Sequence, residues 1–354
     1  MKIGIDASRY SHESATGVEW YSWHIINGLI QEAKDDQIVL YARGELKLPG
    51  VKVIKQKRLW SLIGLSRELA KNPPDVLFVP SHVLPFCLPR RAVTTIHDVA
   101  FRYLKKSYGF FQYQYLNWST KRAVKRACRI IVPSKATADD LVKFFGCPRE
   151  KLVVIEHGYL PRGQIDEKVF KNSPVFKYFG INQSNKYLLF VGRLETKKNL
   201  VRVVCAFADF SKKHPDFRLI LAGKRGHGFK EILKKVQELE LMHKVIMPGY
   251  ISEDEKDALL IHCQAFIFTS LYEGFGLPIL EAFAQGKPVL TSNVSSMPEV
   301  GGKVAVYADP YDTDSIARGM EKVLKIDGEA GKRRATEFSW EKASKKTLKV
   351  IHGQ

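Results

Sequence analysis

Short apolar runs alternate with helical stretches along almost the whole chain, and this rhythm leaves few folds open. Residues 2–7 read as a first strand and 17–33 as a helix entered through Thr16-Gly17. Residues 38–42, 51–54, 76–79 and 92–96 are continuous apolar runs, the pattern of strands buried on both faces. Residues 61–71 and most of 110–127 read as helices. Strand 129–132, helix 135–145 and strand 152–155 follow, with Gly146 and Pro148 closing that helix. Gly158, Pro161, Gly163, Pro174 and Gly180 then break the rhythm, so 158–185 reads as a linker. A second series begins with strands at 187–192, 217–222, 245–247, 265–269 and 288–291. Its helices are expected at 200–214, 229–239, 253–263, from Pro278 onward and at 314–324, with a last helix ending near Ile351. Buried strands separated by helices predict an α/β chain with parallel sheets covered on both faces. The expected division is 1–165, 175–335 and a closing segment 336–354. Two doubly wound domains would face a central cleft at the carboxyl ends of their strands.

A length of 354 residues suits two domains, and 45% hydrophobic with 26% charged residues suits full cores. The apolar opening is too short for a signal peptide and is interrupted by Asp6; no run is long enough to span a bilayer. Cys87, Cys128, Cys147, Cys205 and Cys263 are scattered without metal-ligand spacing, which points to a reduced, cytoplasmic setting. Of the net charge of +19, residues 1–173 carry +12. No acidic residue lies between Asp98 and Asp139, where nine basic residues interleave with Phe101, Tyr103, Tyr108, Phe110, Phe111, Tyr113, Tyr115 and Trp118. Residues 99–138 therefore fit an anionic membrane surface or a single-stranded nucleic acid. They equally fit a half-buried helix with solvated lysines.

Residues 270–302 carry the densest chemistry. Glu273 sits in a loop with Gly274 and Gly276, Pro278 reads as the first helical residue, and Glu281 is expected in the first turn. Two carboxylates beside a helix N-terminus suit the hydroxyls of a sugar or ribose and, through free amides, a phosphate. A nucleotide sugar carries both. Arg193 and Lys198 follow the first strand of the second series, where a guanidinium fork and an ammonium would suit a pyrophosphate. The bland alternative is a pair of solvated loop residues.

In the first half, Gly17 opens a helix, where it either admits a phosphate or sugar or simply makes a turn. A three-glycine dinucleotide fingerprint is lacking there, so a nicotinamide cofactor is disfavoured. His97-Asp98 ends a strand at the ligand edge of the sheet. His97 suits a sugar hydroxyl or proton transfer, and Asp98 an acceptor hydroxyl or a helix cap. Asp312-Thr-Asp314 has a metal-binding form but precedes a helical pattern, and a cap accounts for it.

Residues 191–200, 248–252 and 270–302, with Thr16-Gly17, 97–101 and Phe338-Ser-Trp340, strongly resemble glycosyltransferase family 4, the retaining GT-B enzymes built from two Rossmann-like domains. The likeness extends most closely to bacterial mannosyltransferases of cell-surface polysaccharide, lipopolysaccharide included. It implies a metal-independent hexosyltransferase without a cofactor, whose co-substrate is a nucleotide sugar, GDP-mannose first. UDP- or dTDP-sugars are the alternative donors. The implied acceptor is a lipid-linked glycan or polysaccharide. On this resemblance Arg193 and Lys198 neutralise the departing pyrophosphate, Glu281 holds the ribose and Glu273 the donor sugar. Gly192, Gly274, Phe275, Gly276, Leu277, Pro278 and Ile279 cradle phosphate and sugar. Tyr250 and Ile251 line the base pocket, His97 meets the sugar, Gly17 lies near the phosphates, and Asp98 is the acceptor candidate. The implied chemistry is a front-face displacement in which the leaving phosphate takes the acceptor's proton, with no covalent nucleophile. The closing segment 336–354 is implied to return to the N-terminal domain, and the enzyme to work at the inner face of the cell membrane. The chain departs from the family with a single glycine in the first loop and with Val-Ile-Glu-His-Gly-Tyr at 154–159. A nucleotide-sugar epimerase fits residues 270–302 poorly. A nucleic-acid partner rests on charge and aromatics alone and is not expected.

Overall fold

The computed structural model describes residues 1–11, 17–159 and 168–354. Thr16, Pro161 and Gly163, singled out in the sequence, lie outside them. The chain divides into two compact units, 1–158 with 338–354, and 159–337.

The first unit holds a seven-stranded parallel sheet of β1 (Lys2–Asp6), β2 (Gln37–Ala42), β3 (Val51–Val53), β4 (Val76–Val79), β5 (Arg91–Thr95), β6 (Arg129–Val132) and β7 (Leu152–Val154). The spatial order is β3-β2-β1-β4-β5-β6-β7. Ile3 pairs with Val76 and Ile5 with Phe78 where the order reverses. Every residue of β4 is buried, as a central strand covered on both faces requires. Ile3, Ile5, Ile25, Leu29, Phe78 and Ile351 meet in one core.

Helix Trp340–His352 belongs to this unit and packs on helix Gly17–Glu32. The crossing is close: a Cβ added at Gly28 would come 2.0 Å from Ser344 Oγ. The ring of Trp340 stacks on His24 at 4.5 Å and 7°. Arg91 donates to the Ile351 carbonyl at 2.8 Å, and His352 and the N-terminal ammonium both reach Asp36.

The second unit holds a six-stranded parallel sheet of β8 (Lys186–Val191), β9 (Phe217–Ala222), β10 (Val245–Gly249), β11 (Ala265–Phe268), β12 (Val289–Ser292) and β13 (Val306–Ala308). Its order is β10-β9-β8-β11-β12-β13, reversing between β8 and β11. Each unit is thus doubly wound, with one topological switch point where the crevice of such sheets opens.

Three local expectations are corrected. The stretch read as a linker carries helices Lys168–Asn172 and Pro174–Phe179. Pro174 starts a helix instead of marking a linker, because Ser173 caps it by accepting from Phe176 N at 3.1 Å. Phe176 is fully buried, and Ser173 donates to Glu255 of helix Glu253–His262, far along the chain. The helix expected over 61–71 begins as a π-helical turn, Trp60–Gly64, and becomes α-helical only over Leu65–Lys71. The short strand β13 and helices Met297–Gly301 and Glu329–Ala335 were not foreseen, since each buries too few residues to show a period.

Candidate functional site

At the switch point of the second unit, β8 runs out through Gly192 and Arg193 into a 3₁₀ turn, Thr196–Lys198. Beside it, β11 runs out through Thr269 and Ser270 to Glu273. The two loops are tied together. Leu271 N donates to the Lys197 carbonyl at 2.9 Å. Asn199, buried and left-handed at φ 61, donates to the carbonyls of Thr269 and Pro310 at 3.2 and 2.7 Å. Lys198 Nζ then lies 2.6 Å from Glu273 Oε1, and Lys197 Nζ lies 3.6 Å from Oε2.

Glu273 is only 8% exposed. Burial pushes its carboxyl up, but the ammonium groups of Lys197 and Lys198 outweigh that and hold it below the ordinary glutamate range. Ser296 Oγ donates to the carbonyls of Glu273 and Phe275 at 3.0 and 2.7 Å, and Ser295, at φ 56, donates to the Glu273 carbonyl. The glutamate is therefore fixed from the backbone as well as by charge.

Arg193 stands apart: it is exposed and has no ion-pair partner among the described residues. Its stem lies against Gly226, where a Cβ would come within 2.8 Å of Cγ.

The helix after the Glu273 loop is Leu277–Ala284, so Pro278 is its second residue and Glu281 lies beyond the first turn, which contains no acidic residue. The sequence expectation was shifted because Gly276, at φ 114, already closes the loop as N-cap. Gly276 caps without a side-chain hydrogen bond. Pro278 has no N–H, and Ile279 N donates to the Gly276 carbonyl at 3.0 Å. This leaves the N–H groups of Gly276 and Leu277 without a protein acceptor among the described residues, a narrower cradle than the whole run 275–279. Glu281 pairs with Lys256 at 3.0 Å, and Lys256 also reaches Glu253 at 2.8 Å. Burial lowers the Lys256 pKa, yet these two carboxylates more than reverse it.

Phe275, Ile279 and Ile251 are buried, whereas Tyr250 is 54% exposed with the Lys224 ammonium 4.7 Å from its ring centre. Lys197, Asn199, Lys256 and Ser296 escaped sequence reasoning. Only Lys197 had a signal, its place beside Lys198. Asp312 caps helix Thr313–Val323 by accepting from Asp314 N at 2.9 Å.

At the switch point of the first unit there is a cavity of about 470 Å³. Ser8 and Arg9 line it beyond β1, Ser81 and His82 beyond β4, and His97 and Asp98 beyond β5. His97 Nε2–H donates to the Pro80 carbonyl at 3.0 Å, and its ring meets Tyr21 edge-on at 4.7 Å. Burial holds His97 below the ordinary histidine range. Asp98 Oδ1 accepts from Ala100 N at 3.0 Å, a turn contact one residue ahead of Val99, which is the N-cap of the short helix Ala100–Tyr103. Gly17 begins helix Gly17–Glu32 with nothing within 4 Å of where a Cβ would stand.

Of the basic aromatic stretch 99–138, Phe101 and most of strand β6 are buried in the first unit, and the middle forms helix Phe110–Arg126, which buries only Ser119, Thr120, Ala123 and Val124. Phe110 and Phe111 are 68% and 85% exposed. No helix among the described residues is long and apolar enough to cross a membrane.

Known proteins share this fold. The family described as Glycosyl transferases group 1 matches residues 174–339, and that described as Glycosyltransferase Family 4 matches residues 16–159. The chain is 29% identical over 283 residues to O-antigen chain mannosyltransferase B of Escherichia coli, covering 76% of this chain and 72% of that protein. It is 28% identical over 246 residues to O-antigen chain mannosyltransferase RfbU of Salmonella typhimurium, covering 69% of this chain but 64% of that one. Sucrose-phosphate synthase from Thermosynechococcus elongatus shares the fold with a TM-score of 0.76 at 17% identity, over 100% of this chain and 98% of that one. Anabaena HepE, solved with UDP-glucose, does so with a TM-score of 0.71 at 18% identity over the whole of both chains. With family 4 matched in its first unit and group 1 in its second, on two doubly wound sheets, this chain belongs to the GT-B glycosyltransferases of family 4.

Proposed function

We propose that the chain is a retaining, metal-independent hexosyltransferase that moves mannose from GDP-mannose to a lipid-linked or polysaccharide acceptor. The observation that carries the reading is the Lys198–Glu273 pair, fixed at the switch point of the second sheet with Arg193 exposed on the adjoining loop. Arg193 offers a guanidinium fork and Lys198 an ammonium to the leaving diphosphate. The N–H groups of Gly276 and Leu277 add two donors. Glu273, held ionised, accepts from sugar hydroxyls, and Glu281 accepts from the ribose. Tyr250 and Ile251 flank the base. His97 serves the sugar, Gly17 stands near the phosphates and the acceptor, and Asp98 serves the acceptor.

In the transfer, the bond between the anomeric carbon and the diphosphate oxygen breaks as the acceptor oxygen bonds to that carbon. The acceptor's proton passes to the departing phosphate oxygen. Catalysis is then largely positioning and stabilisation of the leaving charge. Arg193 and Lys198 supply positive charge toward the diphosphate, and Asp312 is spent on its helix cap, which supports a reaction without metal.

The mannose assignment draws on the Escherichia coli and Salmonella mannosyltransferases. A UDP-sugar donor draws on the HepE complex. Exposed Phe110 and Phe111 beside the basic residues of their helix support docking on an anionic membrane surface. A thermal-shift series with GDP-mannose, UDP-glucose and a dTDP-sugar tests the donor, because a ligand of the native state raises the melting temperature by mass action. The largest shift is expected with GDP-mannose. A larger shift with UDP-glucose reassigns the donor, and no shift with any of the three removes the transferase reading.

A further inference from the structure

The cavity of the first unit has features that a neutral sugar alone does not call for. Arg9, Arg43 and Lys57 line it, against Glu19 and Asp98. Both carboxylates are already engaged: Glu19 accepts from Arg9 at 3.2 Å, and Asp98 accepts from Ala100 N. Arg43 and Lys57 have no carboxylate partner among the described residues. Arg43 is held over the Trp60 ring, 5.8 Å from its centre, which presets a long and otherwise floppy side chain. The Asp6 carboxyl at the end of β1 feels Arg43 and Arg9, which lower it, while burial pushes it up.

A second observation points the same way. His82 lines the cavity, and its Nε2 is buried with no hydrogen-bond partner among the described residues. Burial lowers its pKa to about 4, so the ring is neutral at pH 7 and offers a hydrogen bond instead of a charge. A buried polar atom without a partner is costly unless something else supplies one. The lining segment at Leu59 is strained: Leu59 is left-handed at φ 50, and the π-helical turn Trp60–Gly64 follows it. Such geometry holds Trp60, Ser61 and Leu62 against the cavity instead of letting the segment relax into an ordinary helix.

We infer that this cavity binds an acceptor bearing an anionic group, with Arg43 and Lys57 on the anion and His82 on a neighbouring hydroxyl. The inference rests on the transferase reading and names the acceptor's chemistry. A sugar phosphate, a glycosyl diphosphate on a lipid and a glycuronate share that chemistry.

The test is calorimetric titration of the full chain with four probes. These are N-acetylglucosamine, N-acetylglucosamine 1-phosphate, N-acetylglucosaminyl diphosphate on a short alkyl chain, and glucuronic acid. At least one anionic probe is expected to bind about tenfold tighter than the neutral sugar, the scale of one or two charge-assisted hydrogen bonds. The tightest of the three identifies the source of the anion. Arg43→Gln combined with Lys57→Gln should remove that preference while leaving nucleotide-sugar binding intact. Both side chains are exposed, so this variant keeps the fold. His82→Ala should weaken the neutral and anionic probes alike. Equal binding of neutral and anionic probes, or an unchanged preference in the double variant, overturns the inference. Failure of the transferase reading is distinguishable, because then the wild-type chain binds no nucleotide sugar.

Discussion

The Lys198 ammonium sits 2.6 Å from Glu273 Oε1, and the pair spans the two loops that leave β8 and β11 at their parting. Both side chains are nearly buried, at 13% and 10% exposure. Removing one partner of such a pair leaves the other charge stranded, a cost of about 3–5 kcal/mol for a fully buried pair. Lys197, 3.6 Å from the other carboxylate oxygen, covers part of the loss when Lys198 is the residue removed. Lys198→Met should therefore cost less stability than Glu273→Ala, and both should lower kcat by about 100-fold or more. Urea unfolding alongside steady-state kinetics reads both effects. Lys198→Met with unchanged kcat would remove Lys198 from the chemistry.

The two units should respond to acid in separate windows. His24 and His82 are lowered to about 4 by burial, and burial also lowers His97 and His157. The unfolded chain takes up protons below about pH 6.5 that the folded first unit refuses, so stability falls as pH drops from 6.5 toward 4. Each pH unit of refusal per histidine is worth about 1.4 kcal/mol. Glu273, held low, contributes stability that is intact above about pH 4.5 and lost only below it. Denaturant midpoints at pH 7.5, 6 and 5 should decline. A flat profile across that range contradicts the buried-histidine account.

Trp340 fastens the last helix to the first unit through His24, Tyr21 and His157, and it is 8% exposed. Trp340→Ala should destabilise by about 3–5 kcal/mol. Its effect on nucleotide binding should be small where the chain remains folded, because Arg193, Lys198, Tyr250, Ile251 and Glu281 lie in the other unit. Thermal melts paired with nucleotide titration separate the two.

Phe110→Ser with Phe111→Ser should cut binding to liposomes rich in anionic lipid while leaving transfer to a soluble acceptor intact. Raising salt should weaken what remains, since the basic residues of helix Phe110–Arg126 would then act alone. Equal flotation of the variant and the wild type rules out this face.

The sheets were legible because their strands are continuous apolar runs, and such runs have few other uses. Val76–Val79, Arg129–Val132 and Phe217–Ala222 occur where the sequence places them. What escaped depends on partners distant in sequence. Ser173 turns an apparent linker into a capped helix only because Glu255 and a pocket for Phe176 await it. Lys256 meets Glu281 across 25 positions, and Asn199 reaches Pro310 across 111. The strained turn at Leu59 has no glycine to announce it. Glu281 falls one residue deeper in its helix than the sequence suggests, just past the first turn, because Gly276 caps the helix and Leu277, not Pro278, begins it.

In the proposed diphosphate site, formed by the loops after β8 and β11, Arg193 is a cation without an ion-pair partner among the described residues. Calorimetric binding of GDP and UDP to the wild type and to Arg193→Ala tests it most directly, since the side chain is exposed and its loss spares the fold. Tight binding of one nucleotide to the wild type, weakened about tenfold or more in the variant, is the predicted result. Equal affinity in the two proteins would contradict it.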